Sequence, residues 1–225
     1  MDYSELIGNA LRELEDPKIG FRPGELAYLA LTSKPELAIR DRLAFQLHEK
    51  LKQNGFSVSR EYSLEDHKRA DRKRADIAVL PGKDSKRPAI GLIELKVSSF
   101  FNLDNEAHPK KPGKIVEEIK SDFNKWSNFD SGKPEVFCLF LAPNIETDRL
   151  PEGFLYEELV VSWSGWSGYR KKRRRDKASV KKDIEILFKN KWDLIAHDEM
   201  EGGSAFGLEV SVPYWLLKLP AQGRS

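Results

Sequence analysis

Three side chains draw attention because a buried strand has no ordinary use for them. Asp76 lies within Arg74-Ala-Asp-Ile-Ala-Val-Leu80, and Glu94 and Lys96 lie within Ala89-Ile-Gly-Leu-Ile-Glu-Leu-Lys-Val97. Both stretches are short runs rich in Ile, Val and Leu, bounded by Pro and Gly, which is the pattern of buried strands. Removing a lone ion from water is costly unless it is paired or binds a metal. One reading is structural: Glu94 and Lys96 pair near a strand end while Asp76 caps a turn. The other is chemical. Two carboxylates converging from adjacent strands suit Mg²⁺, a hard ion that prefers oxygen ligands and keeps several waters. A neighbouring lysine would then orient or deprotonate an attacking water, or stabilise developing negative charge. The reaction that fits this set is phosphodiester hydrolysis.

The elements that must hold these residues are legible in the same stretch. Pro81-Gly-Lys-Asp-Ser-Lys-Arg-Pro88 is polar and turn-forming, so the two runs should form an antiparallel hairpin with a loose loop. Alternation along the second strand puts Ile90, Leu92, Glu94 and Lys96 on one face and Gly91, Ile93, Leu95 and Val97 on the other. Upstream, a long helix is expected to start with Ser33 as N-cap and Pro35-Glu36 in its first turn, ending at Asn54-Gly55. The strand Phe56-Ser-Val-Ser-Arg-Glu-Tyr62 follows, with Glu61 near its end as a solvated edge residue. Downstream, Ile115, Ile119, Phe123 and Trp126 mark the inward stripe of a helix over Lys114 to Asn128, and Glu135 to Ala142 reads as a buried strand.

This order of elements, with Asp76 and then Glu94-Leu95-Lys96 after a hairpin-length gap, resembles the PD-(D/E)xK nuclease superfamily, whose core is restriction-endonuclease-like. The resemblance covers roughly residues 36 to 142, and it departs from the usual motif in having Ala75 rather than Pro before the Asp. It implies a Mg²⁺ cofactor, replaceable by Mn²⁺, held by Asp76, Glu94 and the Leu95 carbonyl. It also implies a further acid on the first core helix, for which Glu36 and Asp41 are both candidates and Glu36 is favoured. Asp76, Glu94, Lys96 and Glu36 form the implied catalytic set. Lys120 is a candidate for the polar residue that the following helix sometimes brings toward the site.

Composition sets the wider limits. The 225 residues carry a formal net charge of +2, a third are charged and 40% are apolar, as in a globular protein with one sizeable core. With acids and bases nearly balanced, any nucleic-acid surface must be local. Two basic segments qualify. Arg69, Arg72, Lys73 and Arg74 lead directly into the Asp76 strand, and Arg170-Lys-Lys-Arg-Arg-Arg175 follows a stretch in which Trp163, Trp166 and Tyr169 alternate with Ser and Gly. In the second run Arg170, Lys171, Lys172, Arg173, Arg174 and Arg175 are the candidate phosphate contacts. A solvated charge run is the ordinary alternative for each. The single cysteine, Cys138, falls in an apolar run and reads as an inert buried thiol, which allows no internal disulfide and fits a reducing cytoplasm. No apolar run reaches membrane-spanning length.

The remaining segments complete the expected outline. Tyr3 to Glu15 reads as an amphipathic helix, Glu158 to Trp163 as a strand, Ala178 to Trp192 as a helix, and Leu208 to Leu219 as a final strand whose Pro213 should place part of it at a sheet edge. Together they predict a single α/β domain, with a central mixed sheet of five or six strands flanked by helices on both faces. The core spans about 33–165, with 1–32 as a helical N-terminal extension and 166–225 adding a basic loop, a helix and a strand. The expected activity is Mg²⁺-dependent endonucleolytic hydrolysis of DNA, in the manner of a restriction or defence enzyme. A homodimer would let both strands be cut, and a partner subunit is left open. The rival readings are a junction-resolving or transposon-type nuclease, and a non-catalytic nucleic-acid-binding or subunit module.

Overall fold

The computed structural model describes residues 2–63, 74–82, 88–127, 134–147 and 175–220. In chain order the elements are α1 (Tyr3–Glu13), α2 (Glu25–Thr32), α3 (Pro35–Leu51), β1 (Phe56–Ser63), β2 (Arg74–Pro81), β3 (Gly91–Val97), α4 (Lys111–Ser127), β4 (Glu135–Leu141), β5 (Asn144–Ile145), α5 (Lys177–Lys189), β6 (Asp193–Ala205) and β7 (Leu208–Lys218). Among the described residues the strands form one mixed sheet of seven, with β1, β2, β3, β4 and β7 side by side. β5 continues along the flank of β7 where β4 ends, and β6 covers the other flank of β7. Among the described strands only β3 and β4 run parallel, and α4 lies on the crossover that a parallel pair requires.

The sheet is covered on both faces, which is why β3 and β4 are almost continuously apolar. On one face α1, α2 and α3 bury Ile7, Leu11, Leu26, Leu31, Ile39, Leu43 and Leu47 against Ile77, Ile93, Leu139, Val212 and Leu216. On the other, α4 and α5 bury Ile119, Phe123, Trp126, Ile184 and Phe188 against Leu92, Cys138, Phe140, Trp215 and Leu217. The aromatic rings there meet edge to face, with Phe188 centred 5.6 Å from Phe140 and 6.0 Å from Trp215. The expected α/β architecture is therefore present, and residues 1–32 supply part of the core rather than extending from it. No helix among the described residues is long and apolar enough to cross a membrane.

Several local expectations are revised. Asp2 caps α1 through its carboxylate, which accepts from the Ser4 and Glu5 amides, but Lys34 rather than Ser33 is the N-cap of α3. Ser33 closes α2, its hydroxyl donating to the Leu29 carbonyl at 3.0 Å. Pro213 lies in a strand paired on both sides, not at an edge. Its carbonyl accepts from the Ala142 amide at the break between β4 and β5. The nitrogen that lacks a hydrogen faces Ala142 too, so the reciprocal bond of this pair is missing at the point where the β4 ladder ends. The strand expected over 158–163 lies outside the described residues.

β6 has no counterpart among the elements expected from sequence. It is a largely exposed, polar strand that joins β7 through Phe206-Gly207, both at positive φ (54° and 73°). Two consecutive left-handed residues make the tight hairpin turn whose twist matches its strands. Phe is an unusual first member of such a turn, so the sequence carries little warning of it. β6 is also pinned from the side, because Gly24 and Gly203, each at φ 77°, bring the α1–α2 connection against a register shift in the strand. A Cβ at Gly203 would lie 2.8 Å from the Gly24 nitrogen, so that position admits only glycine without movement.

Candidate functional site

The site begins where two strands part. The β2–β3 ladder ends at the pair Ile77–Ile93, although β2 stays with β1 as far as Arg74 and β3 stays with β4 as far as Val97. Asp76 and Glu94 are the next residues on each strand, so they stand on the two arms of a fork. The side-chain alternation also slips here, since Ala75 packs into the core on the α4 face and Ile77 into the core on the opposite face. The fork is bridged by one bond: the Leu95 amide donates to Asp76 Oδ2 at 2.7 Å. In an extended strand the amide and carbonyl of one residue point the same way, so the Leu95 carbonyl opens toward the same gap.

Glu94 is nearly buried, at 6% exposure, and Oε1 accepts a 2.8 Å hydrogen bond from the Trp126 indole of α4. Burial, and then the charge of Asp76, push its pKa up to about 8, partly offset by the indole bond. Lys96 points to the same face and forms an ion pair with Asp122 of α4, Nζ to Oδ2 at 2.8 Å. Burial would discharge the ammonium, but the bond and charge of Asp122 more than offset it and raise its pKa. Asp122 is itself buried and also pairs with Lys125. Glu36, in the first turn of α3, approaches from the opposite face of the sheet. Burial and then Asp76 raise its pKa, while Lys96 acts in the other direction. Asp76 is thus the charge that both Glu36 and Glu94 feel most strongly, and the fork draws acids from α3, β2 and β3.

The other candidates are placed elsewhere. Asp41 is engaged by Arg40 at 2.9 Å and Arg60 at 2.7 Å, and so belongs to an ion-pair cluster along α3 and β1. Lys120 is exposed and faces Glu117. Arg74 pairs with Glu61 at 3.8 Å, and Arg175 is tied to Asp183 at 2.6 Å beside Glu106. Arg69, Arg72, Lys73, Arg170, Lys171, Lys172, Arg173 and Arg174 lie outside the described residues. Cys138 sits opposite Glu94 in the β3–β4 register, fully buried, and burial followed by the nearby Asp122 charge keeps its thiol protonated.

Two neighbours of the site are hidden in the sequence. Asp122 and Trp126 are one helical turn apart and so share a face of α4, where one grips Lys96 and the other Glu94. From sequence Trp126 is simply part of an apolar stripe; the indole N–H is the sole hint of a polar duty. Trp126→Phe keeps most of the packing but strands a buried acceptor, a change that should cost about 1–2 kcal/mol in urea unfolding. Because the lost bond favours the ionised carboxylate, the loss should be larger at pH 9 than at pH 5.

Among the described residues no three His, Cys, Asp or Glu side chains stand together closely enough to hold a metal ion. The donor set nevertheless fits a hard cation. Trp126 bonds one oxygen of Glu94 and the Leu95 amide one oxygen of Asp76, and neither of these bonds uses the second oxygen of its carboxylate. Mg²⁺ is commonly held by one or two carboxylates with water completing its shell. No family model, curated protein or solved structure matches this chain.

Proposed function

We propose that this protein is a Mg²⁺-dependent endonuclease that hydrolyses phosphodiester bonds in DNA, on a PD-(D/E)xK-type core. The observation that carries the proposal is the fork itself. Two mutually repelling carboxylates, one nearly buried, meet where strands separate, with a lysine held on the next residue of the same face. A fold gains no stability from crowding Glu94 against Asp76, and a divalent cation would relieve that repulsion.

In this reading Asp76, Glu94 and the Leu95 carbonyl hold the cation, which when bound supplies Lewis-acid polarisation of the phosphate. Lys96, kept charged by Asp122, is set to stabilise negative charge building on the phosphate oxygens and to orient the attacking water. Its pairing with Asp122 favours this role over that of a general base. Glu36, whose carboxylate is made more basic by burial and by Asp76, orients or receives a proton from the water on the side away from α4. The basic residues near Arg74 and Arg175 would hold the nucleic-acid backbone, and a homodimer would allow both strands to be cut.

Supercoiled and linear DNA incubated with and without Mg²⁺, beside Asp76→Asn and Lys96→Ala variants of verified fold, tests this directly. Metal-dependent cutting should fall by about 10²–10³-fold or more in each variant. DNA binding that is independent of metal, with no cutting by the wild type, would instead assign the chain to the binding modules.

A further inference from the structure

Across β1 from the fork lies a cluster of charges of which the reading above uses only Arg74. Glu61 falls between the paired residues Arg60–Ile77 and Tyr62–Ala75, and so lies across from Asp76. Its backbone is left-handed, φ 52°, in the middle of a strand and without a glycine's freedom. In that conformation its carboxylate reaches Arg40 of α3 through Oε1, and Oε2 lies 3.8 Å from Arg74 of β2. Asp41 joins the same chain of charges, accepting from Arg40 Nε at 2.9 Å and lying 2.7 Å from Arg60. Among the described residues these ion pairs join three guanidinium groups to two carboxylates. Arg40 is buried, whereas Arg60, Arg74 and Glu61 are about half exposed (54%, 55% and 50% of the side chain) and open to a ligand.

We infer that Arg40, Arg60 and Arg74 form a seat for a phosphate of the nucleic-acid backbone, and that Glu61 is an acidic clasp occupying it when no nucleic acid is bound. The chemistry is an exchange of anions. A carboxylate and a backbone phosphodiester each carry one negative charge on two terminal oxygens, and they compete for the same guanidinium forks. Displacing Glu61 would free its residue from the left-handed conformation, which favours release of the clasp. The position opposite Asp76 puts the seat next to the reacting centre, where a phosphate flanking the scissile bond would lie. The assignment rests on the nucleic-acid reading above, but it concerns binding and not cleavage.

The test is binding of a blunt 20-base-pair DNA duplex without divalent metal, measured by fluorescence anisotropy over a range of salt concentrations. Glu61→Gln keeps the shape and removes the charge. It should bind about three- to tenfold more tightly than wild type. Arg60→Ala and Arg74→Ala should each weaken binding and reduce the salt slope by about one. All three positions are exposed enough for thermal melts to confirm folding. A folded Glu61→Gln protein that binds no more tightly overturns the clasp, and unchanged salt slopes in both arginine variants overturn the seat. Plasmid cleavage measured on the same proteins separates the two ideas: the predicted binding changes without any Mg²⁺-dependent cutting would remove the nuclease and keep the seat.

Discussion

Replacing Glu94 by glutamine is expected to make the metal-free protein more stable in mildly alkaline solution. In the folded chain the Glu94 carboxyl is pushed up to about 8 by burial and by Asp76, from an ordinary value of 4.5. Below pH 4.5 the group is protonated whether the chain is folded or not, and contributes nothing to the pH dependence. Between 4.5 and about 8 the unfolded chain releases this proton while the folded chain retains it, so stability falls as pH rises. At 1.36 kcal/mol per pK unit the ceiling of this loss is about 5 kcal/mol, and relaxation around the two carboxylates should reduce it to about 2–3 kcal/mol. The glutamine amide would not titrate, and its carbonyl can still accept from Trp126. Thermal melts at pH 5 and pH 8.5 should therefore show wild type losing several degrees that Glu94→Gln keeps, at about 2–4 °C per kcal/mol for a chain of this size. Mg²⁺ should restore the loss in wild type and not in the variant. A flat profile for wild type would mean that Glu94 is ionised at neutral pH without strain, and would remove the main physical reason for placing a cation there.

The second large effect concerns the N-terminal helices. Removing residues 1–32 should abolish folding and not merely trim the protein. Ile7, Leu11, Leu14, Leu26 and Leu31 are each at most 2% exposed and belong to the same core as Ile39, Leu43, Val212 and Leu216. Burying one large aliphatic side chain contributes about 1.5–3 kcal/mol, so these five approach or exceed the whole stability of about 5–15 kcal/mol usual for a domain. The truncated chain should lack a cooperative thermal transition and collect in the insoluble fraction. A soluble truncated protein with a sharp melt would show instead that α1 and α2 are accessory to a core that stands without them.

The charged residues of the fork are legible in the sequence because they violate a rule. Charges in runs as apolar as Ala89 to Val97 have few innocent explanations, so Asp76, Glu94 and Lys96 can be singled out and placed on neighbouring strands from the sequence alone. Glu36 is reachable too, since an acid at the start of a helix has a predictable position. What stays hidden depends on tertiary partners. Nothing in Asp122 or Trp126 taken singly tells a site neighbour from a surface acid and a core aromatic; the shared face matters only once α4 is laid across β3. Glu61 is the exposed residue of an edge strand that its sequence suggests, but its left-handed backbone and its contacts with Arg40 and Arg74 have no signal there. β6 escapes notice because a polar strand at a sheet margin has no apolar face to advertise, and because Phe206 replaces the usual Asn or Asp of its turn.

The place of β7 has a consequence for how the chain reaches this structure. Its residues 208–218 lie between strands made from 135–145 and from 193–205, so an inner position of the sheet, next to its β6 margin, is filled by a segment synthesised after all its neighbours. Until it arrives, Phe137, Leu139 and Leu141 present an unpaired apolar margin, the kind of surface that recruits other chains. Folding should therefore be slow, dominated by long-range closure, and sensitive to protein concentration during refolding. The polar β6, joined to β7 by a two-residue turn, can pair with it as soon as both exist and deliver it to the β4 margin as a preformed ribbon.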